Sequence, residues 1–314
     1  MTIYSVIFTI SLFYIFLESN CMNKGLENYT KIIISIFIIL ISTNLQSQRR
    51  VKLPTSLNEN SGLVFISKDT CFWINDSNNP AEIIQSDYKG NNLLHHKLNI
   101  KNNDWEDLTL DEAGNLYIAD IGNNALDNKY LTIYKLNKGL SLQDSFVFTY
   151  MNPPGEIDNS FDSESIVWMN GKLHIFTKGI TKRKYFKSHH YILNPSKFNS
   201  TAQYIESIDL KGFVFTGVAL SPDMKTLAIC AYRYKYVFGF LPDADSKIFF
   251  YDVSNNGDTI FSKSKGSMIV PTWFITRQYE SIDYQDDTHV LLAAEKTLFL
   301  RPLLRRVKVR KHSK

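Results

Sequence analysis

The apolar positions of this chain fall into short runs, and one two-run phrase recurs along it. A strand-like run comes first. A turn rich in Gly, Asn, Asp or Pro follows, then a more continuous apolar run that ends in polar residues. Five copies can be read: Asn60 to Ser77 (NSGLVFISKDTCFWINDS), Trp105 to Asn124 (WEDLTLDEAGNLYIADIGNN), Ser163 to Gly179, Thr216 to Arg233, and Tyr279 to Lys296. Aligned on Ser61, Glu106, Glu164, Thr216 and Glu280, the copies are 45, 58, 52 and 64 residues apart. The turns DEAGN, MNGK, SPDMK and QDDTH supply the backbone angles that hairpins need. Further strand-like runs follow each pair, such as YLTIYKLN and SFVFTY after the second copy. Four strands per unit of about 50 residues predict an all-β fold, a β-propeller with four-stranded antiparallel blades. Five blades are expected, or six if a degenerate unit lies in one of the wider gaps. No stretch of helical periodicity after Gln48 supports an α/β fold. The fifth copy offers three clear strands. Its fourth is expected from Arg50 to Pro54, which would join the chain ends, close the ring and remove an edge, or from the terminal run VKVRK.

Two apolar stretches precede the repeats. The second, Ile32 to Ile41, has the length of a secretory h-region, with Lys24 and Lys31 ahead of it and the small residue Ser47 suited to cleavage before Gln48. Neither stretch reaches the roughly 18 to 20 apolar residues of a membrane span. The reading is an export region over residues 1–47, with translation from Met22, a propeller over 48–302 and a basic tail over 303–314. The protein is then exported to the periplasm, envelope or medium, with no stable membrane span after cleavage.

Composition adds little to this until charge is located. The chain of 314 residues carries a formal net charge of +4, but the run from Arg301 to Lys314 holds seven bases and no acid, which leaves the rest acidic. One such run predicts a closing strand or a solvated end, not nucleic-acid binding. Cys71 and Cys230 sit in apolar runs of different copies and are expected to be buried free thiols, with no zinc-type spacing.

In a propeller, the start of each inner strand and the end of the second strand return to one mouth of the central channel. That geometry gathers Glu59, Glu106, Asp107, Asp162, Glu164 and Glu280 with Asp76, Asp120, Asn123, Lys178, Arg233 and Glu295. Carboxylates with amide oxygens are the ligands of Ca²⁺, so such a ring could hold that ion. Crowded carboxylates could also raise one another's pKa and create a general base. The competing expectation is scaffolding, with each Glu accepting N–H bonds from its neighbour; Thr216 breaks that pattern. His174 is expected as a strand histidine, and His95–His96 and His189–His190 as surface pairs on outer strands. GxSxG, P-loop and GxGxxG motifs are absent.

The phrases NDS (Asn75 to Ser77), WEDLTLD (Trp105 to Asp111), ADIGNN (Ala119 to Asn124) and SESIVW…LHIFTKG (Ser163 to Gly179) resemble a group of secreted bacterial propellers. That group is similar in pattern to the SdiA-regulated family and, more distantly, to phytase-like esterases and gluconolactonase-like proteins. The resemblance implies a five- or six-bladed propeller. In the gluconolactonase-like proteins, acidic and amide side chains in the channel hold a divalent metal. By repeat position Glu106, Asp120, Glu164 and Glu280 would match, although their full metal pattern is not reproduced. The expected function is a binding or interaction module with Ca²⁺ at its mouth, for a small molecule or an envelope protein. The alternative is a metal-dependent hydrolase of esters, lactones or phosphoesters.

Overall fold

The computed structural model describes residues 50–156, 161–179, 187–195, 200–237, 241–255, 257–270, 277–297 and 300–309. The chain divides into Met1–Arg49 and Arg50–Lys314, and the fold concerns the second unit. The export region, residues 180–186 and the last five residues are among those that lie outside the described residues.

After a short strand β1 (Arg50–Lys52), the first copy gives β2 (Asn60–Ser67), β3 (Thr70–Asn75), β4 (Glu82–Asp87) and β5 (Leu94–Lys97). The second gives β6 (Trp105–Leu110), β7 (Leu116–Asp120), β8 (Leu131–Leu136) and β9 (Leu142–Tyr150). The third gives β10 (Ser163–Met169), β11 (Lys172–Thr177), β12 (Lys187–Leu193) and β13 (Ser200–Asp209). The fourth gives β14 (Val214–Leu220), β15 (Thr226–Val237), β16 (Leu241–Asp252) and β17 (Ser264–Val270). The fifth gives β18 (Tyr279–Asp286), β19 (His289–Ala294) and β20 (Leu303–Lys308), and β1 pairs beside β20 as its fourth strand. The described residues thus form five four-stranded antiparallel units. The first strands β2, β6, β10, β14 and β18 each pack on the next, and β18 returns to β2. This closed cycle is a β-propeller.

The pattern that made the repeat legible has a packing cause. Five apolar clusters fill the spaces between successive units, one per interface. Second strands lie between two neighbours and are buried on both faces, as in the fully buried β7. They therefore read as continuous apolar runs. Outermost strands such as β5 have one face in water and are largely exposed. Trp73 and Trp105 are fully buried in adjacent interfaces, where truncation to Ala costs about 3–5 kcal/mol.

Two expectations change in detail, and one choice between alternatives is decided. Leu303 to Lys308, read as the start of a basic tail, forms β20 inside the fifth unit, with Arg305 buried. The fourth strand of that unit comes from the N-terminal side as Arg50–Lys52. His189 and His190, expected at the surface, are fully buried. The reason lies on the faces of β12: His189 meets the Phe161 and Tyr204 rings, and His190 stacks on Phe176 beside Phe261. The edge beyond β13 is closed in turn by a short parallel pairing, Ser200 to Ala202 against Phe148 to Tyr150 of β9. Cys71 and Cys230 are buried free thiols, and His95 and His96 lie on the outer strand β5.

Candidate functional site

Each inner strand carries an irregularity at the same place. The pairing register slips between Asn60 and Gly62, Trp105 and Asp107, Ser163 and Ser165, Phe215 and Gly217, and Tyr279 and Ser281. The skipped residues are Ser61, Glu106, Glu164, Thr216 and Glu280. A bulged residue is freed from the ladder and its side chain is re-aimed. Where it is a hydroxyl residue, it stitches units together: Ser61 Oγ donates to the Trp105 carbonyl at 2.9 Å and Thr216 Oγ1 to the Tyr279 carbonyl at 2.7 Å. Gly217 follows Thr216 because the strands run so close there that a Cβ would lie 2.7 Å from the Glu280 carbonyl oxygen. Where the bulged residue is Glu, the carboxylate enters the acidic mouth of the channel.

Two carboxylate triplets meet at that mouth. Asp76, Asp104 and Glu106 each offer an oxygen within 4.8 Å of the others, and so do Glu106, Asp162 and Glu164. Glu106 belongs to both. Asp104 escaped the sequence reading, yet it lies two positions before its bulge, the offset that Glu59 and Asp162 share. Gly122 forms the wall beside the first triplet. A Cβ on it would stand 2.3 Å from both Asp104 Oδ2 and Glu106 Oε1, so only glycine leaves the two carboxylates their positions. Glu106 is 5% exposed, and among the described residues its carboxylate accepts no hydrogen bond and forms no ion pair. Lys178 serves the second triplet: its ammonium contacts Glu164 and lies 3.8 Å from Asp162.

The remaining candidates divide by what their side chains touch. Glu280 faces Glu295 and takes a hydrogen bond of 3.2 Å from Gln278. Glu59 is exposed and bonded to Asn79 at 2.6 Å. Asp107 turns away from the mouth and accepts the Ile166 and Leu108 N–H groups at 3.0 and 2.8 Å, tying the second unit to the third. Asp283, not singled out from sequence, does the same between the fifth unit and Phe65 of the first, at 2.6 Å. Asp120, placed in the metal set by its repeat position, accepts bonds from Asn103 Nδ2 and the Asp104 N–H at 2.6 and 2.7 Å. It therefore positions the loop that presents Asp104. Asn123 donates its N–H to Asp162 at 2.8 Å and organises its own loop through Asn128. Arg233 pairs with Asp245 at 3.1 Å and lies over the Phe213 ring.

Crowding in low dielectric sets the protonation of the mouth. Burial pushes Glu106 well above the usual carboxylate range, and Glu164 and Asp76 add to it. Burial, then the Asp76 carboxylate, raises Asp104 to about 7. Burial raises Glu164 to about 7 against the pull of Lys178. Burial with Asp76 and Glu59 raises Glu295 to about 7, and burial with Glu295 and Glu164 holds Glu280 well above its ordinary value. Burial opposes charge on Lys178, but Glu164 and Asp162 outweigh it and keep the ammonium charged. Protons are held where positive charge is short.

No protein-family model matches the chain, and no curated protein matches it in sequence. Among solved structures, exo-β-1,3-galactanase from Phanerochaete chrysosporium aligns at TM-score 0.49 and 10% identity, over 84% of this chain and 64% of that one. Virginiamycin B lyase from Staphylococcus aureus aligns at 0.43 and 11%, over 84% and 99%. Kuenenia stuttgartiensis hydrazine synthase aligns at 0.39 and 12%, over 77% of this chain, which spans only 57% of that one. None of these similarities passes an activity to this chain.

Proposed function

We propose that this is an exported propeller that binds its ligand at the acidic mouth with the help of one divalent cation, Ca²⁺ by its ligand chemistry. The observation that carries the reading is Glu106: a carboxylate 5% exposed, without a hydrogen-bond donor among the described residues, and aimed between other carboxylates. Crowding buried carboxylates against one another is costly, and a cation between them removes the cost. The residues fit such an ion. Asp76, Asp104 and Glu106 supply hard oxygen donors at close range. Gly122 leaves the space beside them open, and Asp120 braces the Asp104 loop as an outer-shell partner would. Export rests on the h-region of Ile32 to Ile41 and the small residue at Ser47.

A cation that binds only the folded state must raise the melting temperature as its concentration rises. Calcium at 100 times its Kd is expected to add about 2.7 kcal/mol of stability. Asp104→Asn and Glu106→Gln should each weaken binding by at least roughly 10-fold, since loss of even an outer-shell support typically costs about 10- to 100-fold. A melting temperature unmoved by Ca²⁺, Mg²⁺ or Mn²⁺ would refute the reading.

The second reading, a metal-dependent hydrolase, is favoured by one observation: Asp104 sits at about 7 beside Asp76, where a general base works best near neutral pH. Hydrolysis of an ester, lactone or phosphoester that disappears in Glu106→Gln would support it.

A further inference from the structure

The two triplets of the mouth are not equivalent. The first, Asp76 with Asp104 and Glu106, forms no ion pair with any base among the described residues. The second, Glu106 with Asp162 and Glu164, already has a cation seated on it: the Lys178 ammonium touches Glu164 and is 3.8 Å from Asp162. Lys178 reaches that place from the end of β11, where its N–H bonds the Asp162 carbonyl at 2.9 Å and its carbonyl accepts the Phe215 N–H at 3.0 Å. Its backbone is therefore anchored to two units, and the ammonium is delivered from a fixed point.

We propose that Lys178 is a tethered counter-ion that fills the second triplet and so limits the mouth to a single divalent cation, held by Asp76, Asp104 and Glu106. This rests on the reading of the mouth as a cation site. The physical reason is exclusion: an ammonium in contact with Glu164 occupies the place a second ion would take and cancels one of the charges that would hold it. Without it, the second triplet presents three buried carboxylates within 4.8 Å of one another and no counter-charge. Glu106 would then bridge two ions, the arrangement of two-metal centres, whose ions lie about 3.5–4 Å apart. Lys178 thus determines whether the site is mononuclear or dinuclear.

Calorimetric titration with CaCl₂ tests this on three proteins. The wild type should take up one Ca²⁺. Lys178→Met, similar in length but uncharged, should take up two. Glu164→Gln, which leaves the first triplet whole, should take up one with affinity within about threefold of the wild type. One ion in Lys178→Met at unchanged affinity overturns the role of Lys178 while leaving the cation site standing. A wild type that takes up none overturns the cation site itself. Should Lys178→Met fail to fold, Glu164→Gln still decides: loss of more than tenfold in affinity would place the ion on the second triplet and sink the proposal.

Discussion

Gly122 shows at the scale of one residue how closely the backbone shapes the mouth. Its missing side chain is the space that the Asp104 and Glu106 carboxylates occupy. Its backbone is not in the left-handed region, so alanine is tolerated by the chain itself and the conflict falls on two flexible carboxylate ends. Gly122→Ala should fold with little change in stability yet bind Ca²⁺ roughly tenfold more weakly; equal affinity by calorimetry would show that the two carboxylates need not hold these positions. Glu106, Glu164 and Glu280 were legible from sequence because a bulge recurs at one repeat position and each unit puts its own residue there. Asp104 was not, because it stands in a polar loop ahead of its strand, whereas Asp107 lies within the strand and bonds the next unit's backbone instead. Asp120 shows the limit of repeat position: it stands at the end of β7 as expected, but its oxygens are taken by Asn103 and Asp104.

At the scale of strands, the break at Thr216 has its explanation in the bulge. Ser61 and Thr216 use the re-aimed position to bond the next unit's carbonyl, whereas Glu106 and Glu280 leave that role to carboxylates further along their strands, Asp107 and Asp283. Scaffolding and site are thus divided among equivalent positions. Thr216→Val keeps the shape and removes the bond to the Tyr279 carbonyl. It should cost about 0.5–1.5 kcal/mol in chemical denaturation, the net worth of one hydrogen bond, because the Tyr279 carbonyl keeps a second donor in Cys230 Sγ at 3.5 Å; a loss below about 0.5 kcal/mol would show that the hydroxyl does not hold the fourth and fifth units together. The strand pairs themselves were readable because inner strands are covered on both faces. The third and fourth strands were harder to place. β20 is rich in bases and reads as a tail, yet its alternate side chains pack between the fifth unit and its neighbours. His189 and His190 look like surface residues in the strand pattern, yet Phe161 and Tyr204 cover the one and Phe176 and Phe261 the other, contacts between separate segments that no local pattern announces.

Across the whole molecule, the trapped carboxylates make stability depend on pH in a direction opposite to the usual one for acids. Asp104, Glu164, Glu295 and Asp283 are raised to about 7, and Glu106, Glu280 and Asp107 lie well above their ordinary range, burial being the first cause for each. Between their unfolded values near 4 and these folded values, the native state binds more protons, so stability falls as pH rises. The buried His174, His189 and His190 are pushed down by burial and act the other way, but only below about 6.5, the unfolded histidine value. Above that pH the carboxylates act alone. In chelator, the melting temperature should therefore drop between pH 6.5 and 8.5, at roughly 2–4 °C per kcal/mol for a domain of this size. Calcium should restore it at pH 8.5, because the ion replaces the lost protons. A melting temperature that rises over this interval in chelator would show that the carboxylates are not desolvated as described.

The central claim is a location, and diffraction tests a location most directly. Crystals grown with Tb³⁺ or Mn²⁺ should show one anomalous peak per chain, between the carboxylates of Asp76, Asp104 and Glu106, with the Lys178 ammonium still against Glu164. No peak at the mouth, or a peak beside Glu164 in place of that ammonium, would contradict the account.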